Sequence, residues 1–231
     1  MEKGPPPITL PEDFLLIGDK QDSKDPDVRA AWNYLLSRGV TERDAWFYKI
    51  GISKLDQRWK RRVIFPSFDE EGLLNFFVAR NVDTWDRRPK WDNPDANKFE
   101  IVFNGLNINW SKSVIICEGL FDALKCGENS IPLLGSDFST NSLLFSQIIM
   151  NGTPVILALD EDMWESKTPR LAKLLRQFDV QVSVVDTRDM PDPGSVSKRQ
   201  FKEALDRAIS PDWGSLFFDR LDFCTRTKLK I

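Results

Sequence analysis

Val114-Ile-Ile-Cys-Glu118-Gly119-Leu-Phe-Asp122 and Val155-Ile-Leu-Ala-Leu-Asp160-Glu-Asp162 are two apolar runs that each stop at acid. Four or five β-branched and aliphatic residues in succession fit a parallel strand covered on both faces, with charge admitted only at its carboxyl end. That edge is where open α/β sheets place ligands. Carboxylates converging there repel one another and raise each other's pKa values unless a cation neutralises them. Hard oxygen ligands of this kind suit Mg²⁺ or Mn²⁺. The two stretches together predict a divalent-metal site acting on phosphates.

Outward toward the C-terminus, residues 99–231 read as strand, helix, strand, helix, strand, helix. A helix begins at Glu118-Gly-Leu-Phe-Asp-Ala-Leu-Lys125, an amphipathic one covers Asn141 to Asn151, and another covers Ser166 to Phe178. A third strand, Val180-Gln-Val-Ser-Val-Val185, leads to Asp186-Thr-Arg-Asp189-Met-Pro-Asp192-Pro-Gly194. Such alternation implies a parallel sheet with right-handed crossovers. Trp213 to Ile231 reads as a packing helix with a basic tail, and its role stays open.

Toward the N-terminus the texture changes. Residues 1–27 hold several prolines and acids and read as an extended arm with Phe14-Leu-Leu-Ile able to pack. Val28, Ala31, Trp32, Leu35 and Leu36 recur at helical spacing, Asp25 or Asp27 can cap them, and Gly39 ends the helix. Thr41-Glu-Arg-Asp44 opens a second helix, with Trp46 and Phe47 expected to turn inward. Arg62-Val-Ile-Phe-Pro-Ser-Phe-Asp69-Glu-Glu-Gly72-Leu-Leu-Asn-Phe-Phe-Val-Ala-Arg80 reads as an antiparallel hairpin around an acidic Gly turn. Four of the five residues 58–62 are basic, and Arg80, Arg87, Arg88, Lys90 and Lys98 follow, with Trp85 and Trp91 among them. Interleaved cations and aromatics suit a single-strand or nucleotide-phosphate groove. The competing reading is a solvated strand face with core tryptophans, because acids share the segment.

The fold class expected is α/β with an α+β N-terminal half. The domains are an arm over 1–27, a basic subdomain over 28–108, a parallel-sheet subdomain over 109–195 and a helical segment over 196–231. Length at 231 residues allows a substantial core. With 32 basic and 35 acidic side chains, any nucleic-acid surface must be local. No histidine is present, which excludes Ser-His-Asp and Cys-His catalysis and Cys/His zinc sites, so carboxylates, lysines and arginines carry any chemistry. Three widely spaced cysteines, no apolar leader at the N-terminus and no apolar run approaching eighteen residues read as a reducing, cytoplasmic setting.

Glu-Gly at the end of one strand and Asp-x-Asp at the end of a later one resembles the Toprim fold of DnaG-type primases, topoisomerases and some nucleases. Arg62-Val-Ile-Phe-Pro-Ser-Phe, Phe77-Val-Ala-Arg80 and Pro89-Lys90-Trp91-Asp-Asn93-Pro94 resemble the basic N-terminal half of the DnaG-type primase catalytic core, in that order. Asp192-Pro193-Gly194 resembles its third acidic motif. The resemblance runs from Leu10 to about Leu205 and is nearest to primases of tailed phages. It implies synthesis of short RNA primers on single-stranded DNA from NTPs by a nucleotidyltransferase serving DNA replication. Glu118, Asp160 and Asp162 would be catalytic and hold the metal, Asp122 and Asp192 would support the acidic cluster, and Gly119 would let the backbone turn closely. Arg62, Arg80, Lys90 and Asn93 would contact template, primer or triphosphate.

Three departures stand beside the resemblance. The chain has no cysteines for the zinc-ribbon module such primases carry, so no zinc is expected, and template choice falls to another polypeptide unless the sequence is a fragment or diverged relative. It has no Gly-x-x-x-x-Gly-Lys-[Ser/Thr] loop, so a separate replicative helicase is expected as partner. Gly194 stands where some primases carry a further acid. The alternatives are a Toprim-type metal-dependent nuclease and a non-catalytic replisome or nucleic-acid-binding protein that kept the fold. A topoisomerase is disfavoured by length and by the placement of Tyr34 and Tyr48.

Overall fold

The computed structural model describes residues 8–83, 85–135, 138–163, 166–187 and 196–210, with Asp162 described for its backbone alone. Asp189, Asp192, Gly194 and Trp213 to Ile231 lie outside these residues. The chain divides into two compact units, Met1–Asn107 and Ile108–Ile231.

In the first unit, strands β1 (Leu15–Leu16), β2 (Gly51–Ser53), β3 (Arg62–Phe68), β4 (Leu74–Asn81) and β5 (Trp91–Asp92) form an antiparallel sheet in that order. The expected hairpin is β3 and β4, paired from Arg62 opposite Asn81 to Phe68 opposite Leu74, with an irregularity at Ser67 and Phe68. Its turn is built by Asp69, whose carboxylate accepts from the Glu71 and Leu73 amides, and by Gly72 at φ 81°. Part of the predicted arm is the edge strand β1. Asp13 fastens the arm to the strand beyond it, accepting from the Ser53 hydroxyl at 2.7 Å and the Lys54 and Leu55 amides. Ile8, Leu10 and Phe14 pack against a core of Trp59, Ile64, Phe77 and Ala79.

Two helices precede the hairpin. Asp25 caps α1 (Pro26–Ser37), accepting from the Asp27 and Val28 amides, and Pro26 supplies a pre-set φ at the first turn. Trp32 is buried and its indole donates to the Ile17 carbonyl at 2.8 Å. Thr41 and Asp44 cap α2 (Glu42–Phe47) reciprocally. Trp46 departs from expectation: it is 46 % exposed, while Ala45 and Tyr48 face the core. Six residues give the helix under two turns, so only one narrow face can be buried, and the Trp46 ring lies instead against Gly18, where a Cβ would meet it at 2.7 Å.

In the second unit, β6 (Val114–Cys117), α3 (Leu120–Cys126), β7 (Ser130–Pro132), α4 (Leu143–Asn151), β8 (Val155–Ala158), α5 (Lys167–Arg176), β9 (Val182–Val184) and α6 (Lys198–Asp206) alternate. The four strands are parallel in the order β7-β6-β8-β9. Strand β7 is an addition to the predicted alternation, and α4, α5 and β9 are shorter than predicted. Stepping from β6 outward to β7 and back across to β8 reverses direction, and right-handed crossovers then place α3 on one face and both α4 and α5 on the other. Helices α3 and α6 accordingly share one face over Cys117, Ala123, Ala158, Val185 and Phe201. Phe145 of α4 meets Phe178, just beyond α5, edge to face at 5.0 Å. Among the described residues no helix is long and apolar enough to cross a membrane.

Candidate active site

The acidic edge is set by strand register. Cys117 pairs with Ala158, so Glu118 leaves β6 opposite Leu159 and Asp160 follows one residue later on the neighbouring strand. Adjacent strands run about 4.8 Å apart, which brings the two carboxylates out at the same end of the sheet. Asp162 lies in the 3₁₀ turn Glu161–Met163, begun by the bond from the Met163 amide to the Asp160 carbonyl at 2.9 Å. The backbone at this edge is held from both sides. The Leu133 and Leu134 amides donate to the Cys117 and Glu118 carbonyls, and the buried Thr187 hydroxyl donates to the Leu159 carbonyl at 2.9 Å.

Asp122 is placed one turn into α3 and reaches back to accept from the Gly119 amide at 3.1 Å. It is a carboxylate at a helix N-terminus, where the exposed amides and the helix dipole favour negative charge. A Cβ at position 119 would lie 2.6 Å from its Oδ2, so any other residue here would push the Asp122 carboxylate away from the amide it caps. Burial first, then the neighbouring Cys126 thiol and the charges of Asp122 and Asp160, pushes the Cys117 thiol well above its ordinary range. Asp122 and Asp160 thus both act on one sulfur beneath the strand tips. Among the described residues no group of three or more Cys, Asp and Glu is gathered to hold a metal ion. The Asp162 side chain and Asp192 are outside that set.

Two residues here were not singled out from the sequence: Leu134 and Gly135 take left-handed conformations, φ 53° and 71°, just after the Leu134 amide binds the Glu118 carbonyl. A leucine in that region is costly and persists only where surrounding structure fixes it. Gly135 after the apolar run Ile131-Pro-Leu-Leu was the available signal.

The basic face of the first unit sorts into structural and accessible cations. Arg58 forms a two-point pair with Asp92, at 3.0 and 2.7 Å, while its guanidinium lies 4.2 Å over the Trp59 ring. Arg61 bridges Asp27 and Asp83, and Arg88 pairs with Asp86. Arg62, expected on the surface, is 1 % exposed; its Nη1 reaches the Ala79 carbonyl at 3.5 Å and its buried Nε has no hydrogen-bond partner. Burial holds its pKa below the usual arginine value. The setting of β3 is the reason: Arg62 to Ser67 are buried without alternation, so the strand is covered on both faces and either side-chain orientation is buried.

Arg80 is half-buried at the end of β4. Its Nε donates to the Tyr34 hydroxyl at 2.8 Å, and its guanidinium lies 5.8 Å from the Tyr34 ring centroid and 4.8 Å from that of Trp91. Lys90 is exposed, and its carbonyl accepts from the Asn81 amide. Asn93 is half-buried with its Oδ1 lacking a hydrogen-bond partner, while its carbonyl accepts from Arg58 at 2.7 Å. The tryptophans divide likewise: Trp59 is core, whereas Trp85 is 79 % and Trp91 36 % exposed.

No family model matches the chain. A DNA primase of Clostridium acetobutylicum is 26 % identical over 198 residues, covering 79 % of this chain and 33 % of that protein. The chain therefore spans about a third of that relative's length. The E. coli primase catalytic core matches with a TM-score of 0.67 at 18 % identity, over 87 % of this chain and 80 % of that one. A DnaG primase catalytic domain bound to ssDNA matches with a TM-score of 0.66 at 17 % identity, over 87 % and 78 %. A mixed α/β chain with an antiparallel sheet unit followed by a parallel sheet unit has the fold of the DnaG-type primase catalytic core.

Proposed function

We propose that the chain is the catalytic core of a DNA primase that makes short RNA primers on single-stranded DNA. The observation that carries this reading is the in-register pairing of Cys117 with Ala158, which delivers Glu118 and Asp160 to one edge of a parallel sheet. In this reading Glu118, Asp160 and Asp162 hold Mg²⁺ or Mn²⁺, with Asp192 supporting them, as in the Toprim fold. Their hard oxygens fit such an ion. Bound there, the metal would activate the 3′-hydroxyl of the growing strand and stabilise the departing pyrophosphate.

The chain's own residues do the rest. Asp122 holds the Gly119 amide and so fixes the tip from which Glu118 projects. Lys90 and Arg80 neutralise phosphate charge of template or triphosphate, Asn93 supplies hydrogen bonds beside them, and Arg62 contributes its charge from behind the sheet. No side-chain nucleophile is needed, in keeping with a chain that lacks histidine. Initiation-site choice and unwinding call for a zinc-ribbon module and a replicative helicase beyond these 231 residues, in the cytoplasm of a bacterium or of a phage-infected host.

The test combines the protein with single-stranded DNA, labelled NTPs and Mg²⁺. Short RNA products, lost in Asp160→Ala, are expected. Cleaved template would replace the reading with a nuclease, and binding without either product would replace it with a non-catalytic role. Lys90→Ala should lower product yield without unfolding the chain.

A further inference from the structure

Cys117 ends β6 and Cys126 ends α3, and their sulfurs lie 3.0 Å apart as free thiols. Cys117 is buried, while Cys126 is partly accessible to solvent. Nothing in the polymerisation chemistry uses them, yet they sit directly beneath the acidic edge: Glu118 is the next residue after Cys117, and Asp122 lies within the short helix that Cys126 closes. We propose that Cys117 and Cys126 are a thiol-oxidation site, forming a reversible disulfide with low-molecular-weight disulfides as oxidant and turning down the neighbouring active edge.

The geometry is favourable for exchange. The Cys126 thiolate attacks one sulfur of glutathione disulfide, breaking its S–S bond and releasing one glutathione thiolate. The Cys117 sulfur then attacks Cys126 Sγ and displaces the second glutathione, which carries away the Cys117 proton. Two protein thiols lose two electrons, and one glutathione disulfide becomes two glutathiones. A disulfide bond spans about 2.0 Å, so closing the gap draws the end of α3 toward β6 by about 1 Å. That helix carries Asp122, whose bond to the Gly119 amide positions the Glu118 tip. Misplacing reacting groups by about 1 Å can cost up to about 10²-fold in rate.

The consequence for activity rests on the primase reading, whereas the oxidation site does not, and the experiment separates them. The full chain is equilibrated with glutathione disulfide, digested without reduction and mapped by mass spectrometry, with melting temperature and primer yield measured in parallel. Expected are a cross-link joining the Cys117 and Cys126 peptides, a rise in melting temperature of about 3 °C, and primer synthesis lowered at least about tenfold. Dithiothreitol should reverse all three, and Cys126→Ser should show none. Absence of the 117–126 bond under saturating oxidant, or a mapped bond that leaves primer yield unchanged, overturns the proposal. If the reduced chain makes no primers while the mapped bond and its thermal shift appear, the primase reading fails and the oxidation site stands.

Discussion

The two sheets handle charge in opposite ways. In the antiparallel unit, basic residues are interleaved with acids and three arginines are consumed locally: Arg58 by Asp92, Arg61 by Asp27 and Asp83, Arg88 by Asp86. In the parallel unit, strand register draws Glu118 and Asp160 to one edge, with Asp122 one turn away. Mixed signs spread over a face lock a structure; one sign gathered at a strand end invites a counter-ion from outside. A count of basic residues therefore overstates the nucleic-acid surface of the first unit, and the count of acids understates how concentrated they are in the second.

The contrast breaks most sharply if an edge acid proves dispensable. Asp160→Asn should lower primer synthesis about 10²- to 10³-fold with the fold intact by circular dichroism; wild-type yield would remove the edge from the chemistry. Gly119→Ala comes next, since its Cβ collides with Asp122 Oδ2. A loss of about 2 kcal/mol and a tenfold fall in rate are expected, read by urea unfolding and primer yield. Arg61→Ala, on the other side of the comparison, should cost about 1–2 kcal/mol of stability by leaving the well-buried Asp83 carboxylate without its guanidinium, while the chemical step stays near wild type. Tyr34→Phe keeps the ring under Arg80 but deletes its hydrogen-bond partner. About 1 kcal/mol, or roughly fivefold weaker single-strand binding, is expected by fluorescence anisotropy.

The smallest effect is in pH. Arg58 holds Asp92, and Arg88 holds Asp86, below the usual carboxylate range. Depressed carboxylates contribute stability that is whole above their unfolded pKa of about 3.9 and is lost as pH falls through the lower folded values. The urea midpoint of the first unit should therefore hold steady down to about pH 5 and decline below about pH 4. Arg58→Ala should flatten part of that decline.

Much of this arrangement was legible in the sequence. The 62–80 hairpin with its Asp69 to Gly72 turn, the Asp25 and Thr41 caps and the strand endings at Glu118 and Asp160 all follow from local pattern, because each is decided within a few residues. What escaped was decided at a distance. Strand β7 is three residues ending in proline, and β1 is two, too short for any period to show. They exist because a neighbouring strand offers free hydrogen-bonding groups. Arg62 and Trp46 escaped for a related reason: composition marks residue type, whereas burial depends on what distant elements cover, both faces of β3 for Arg62 and one narrow face of a six-residue helix for Trp46.

The strands of the parallel sheet are four residues long at most, so the end opposite Glu118 and Asp160 lies about 13 Å from them. That opposite rim is entered through exposed Ser111 and Lys112, with the Thr153 hydroxyl tying the Trp110 carbonyl behind them. Grafting can exploit it: a fluorophore or peptide tag spliced at Ser111–Lys112 would sit at the far rim of this sheet from Glu118 and Asp160.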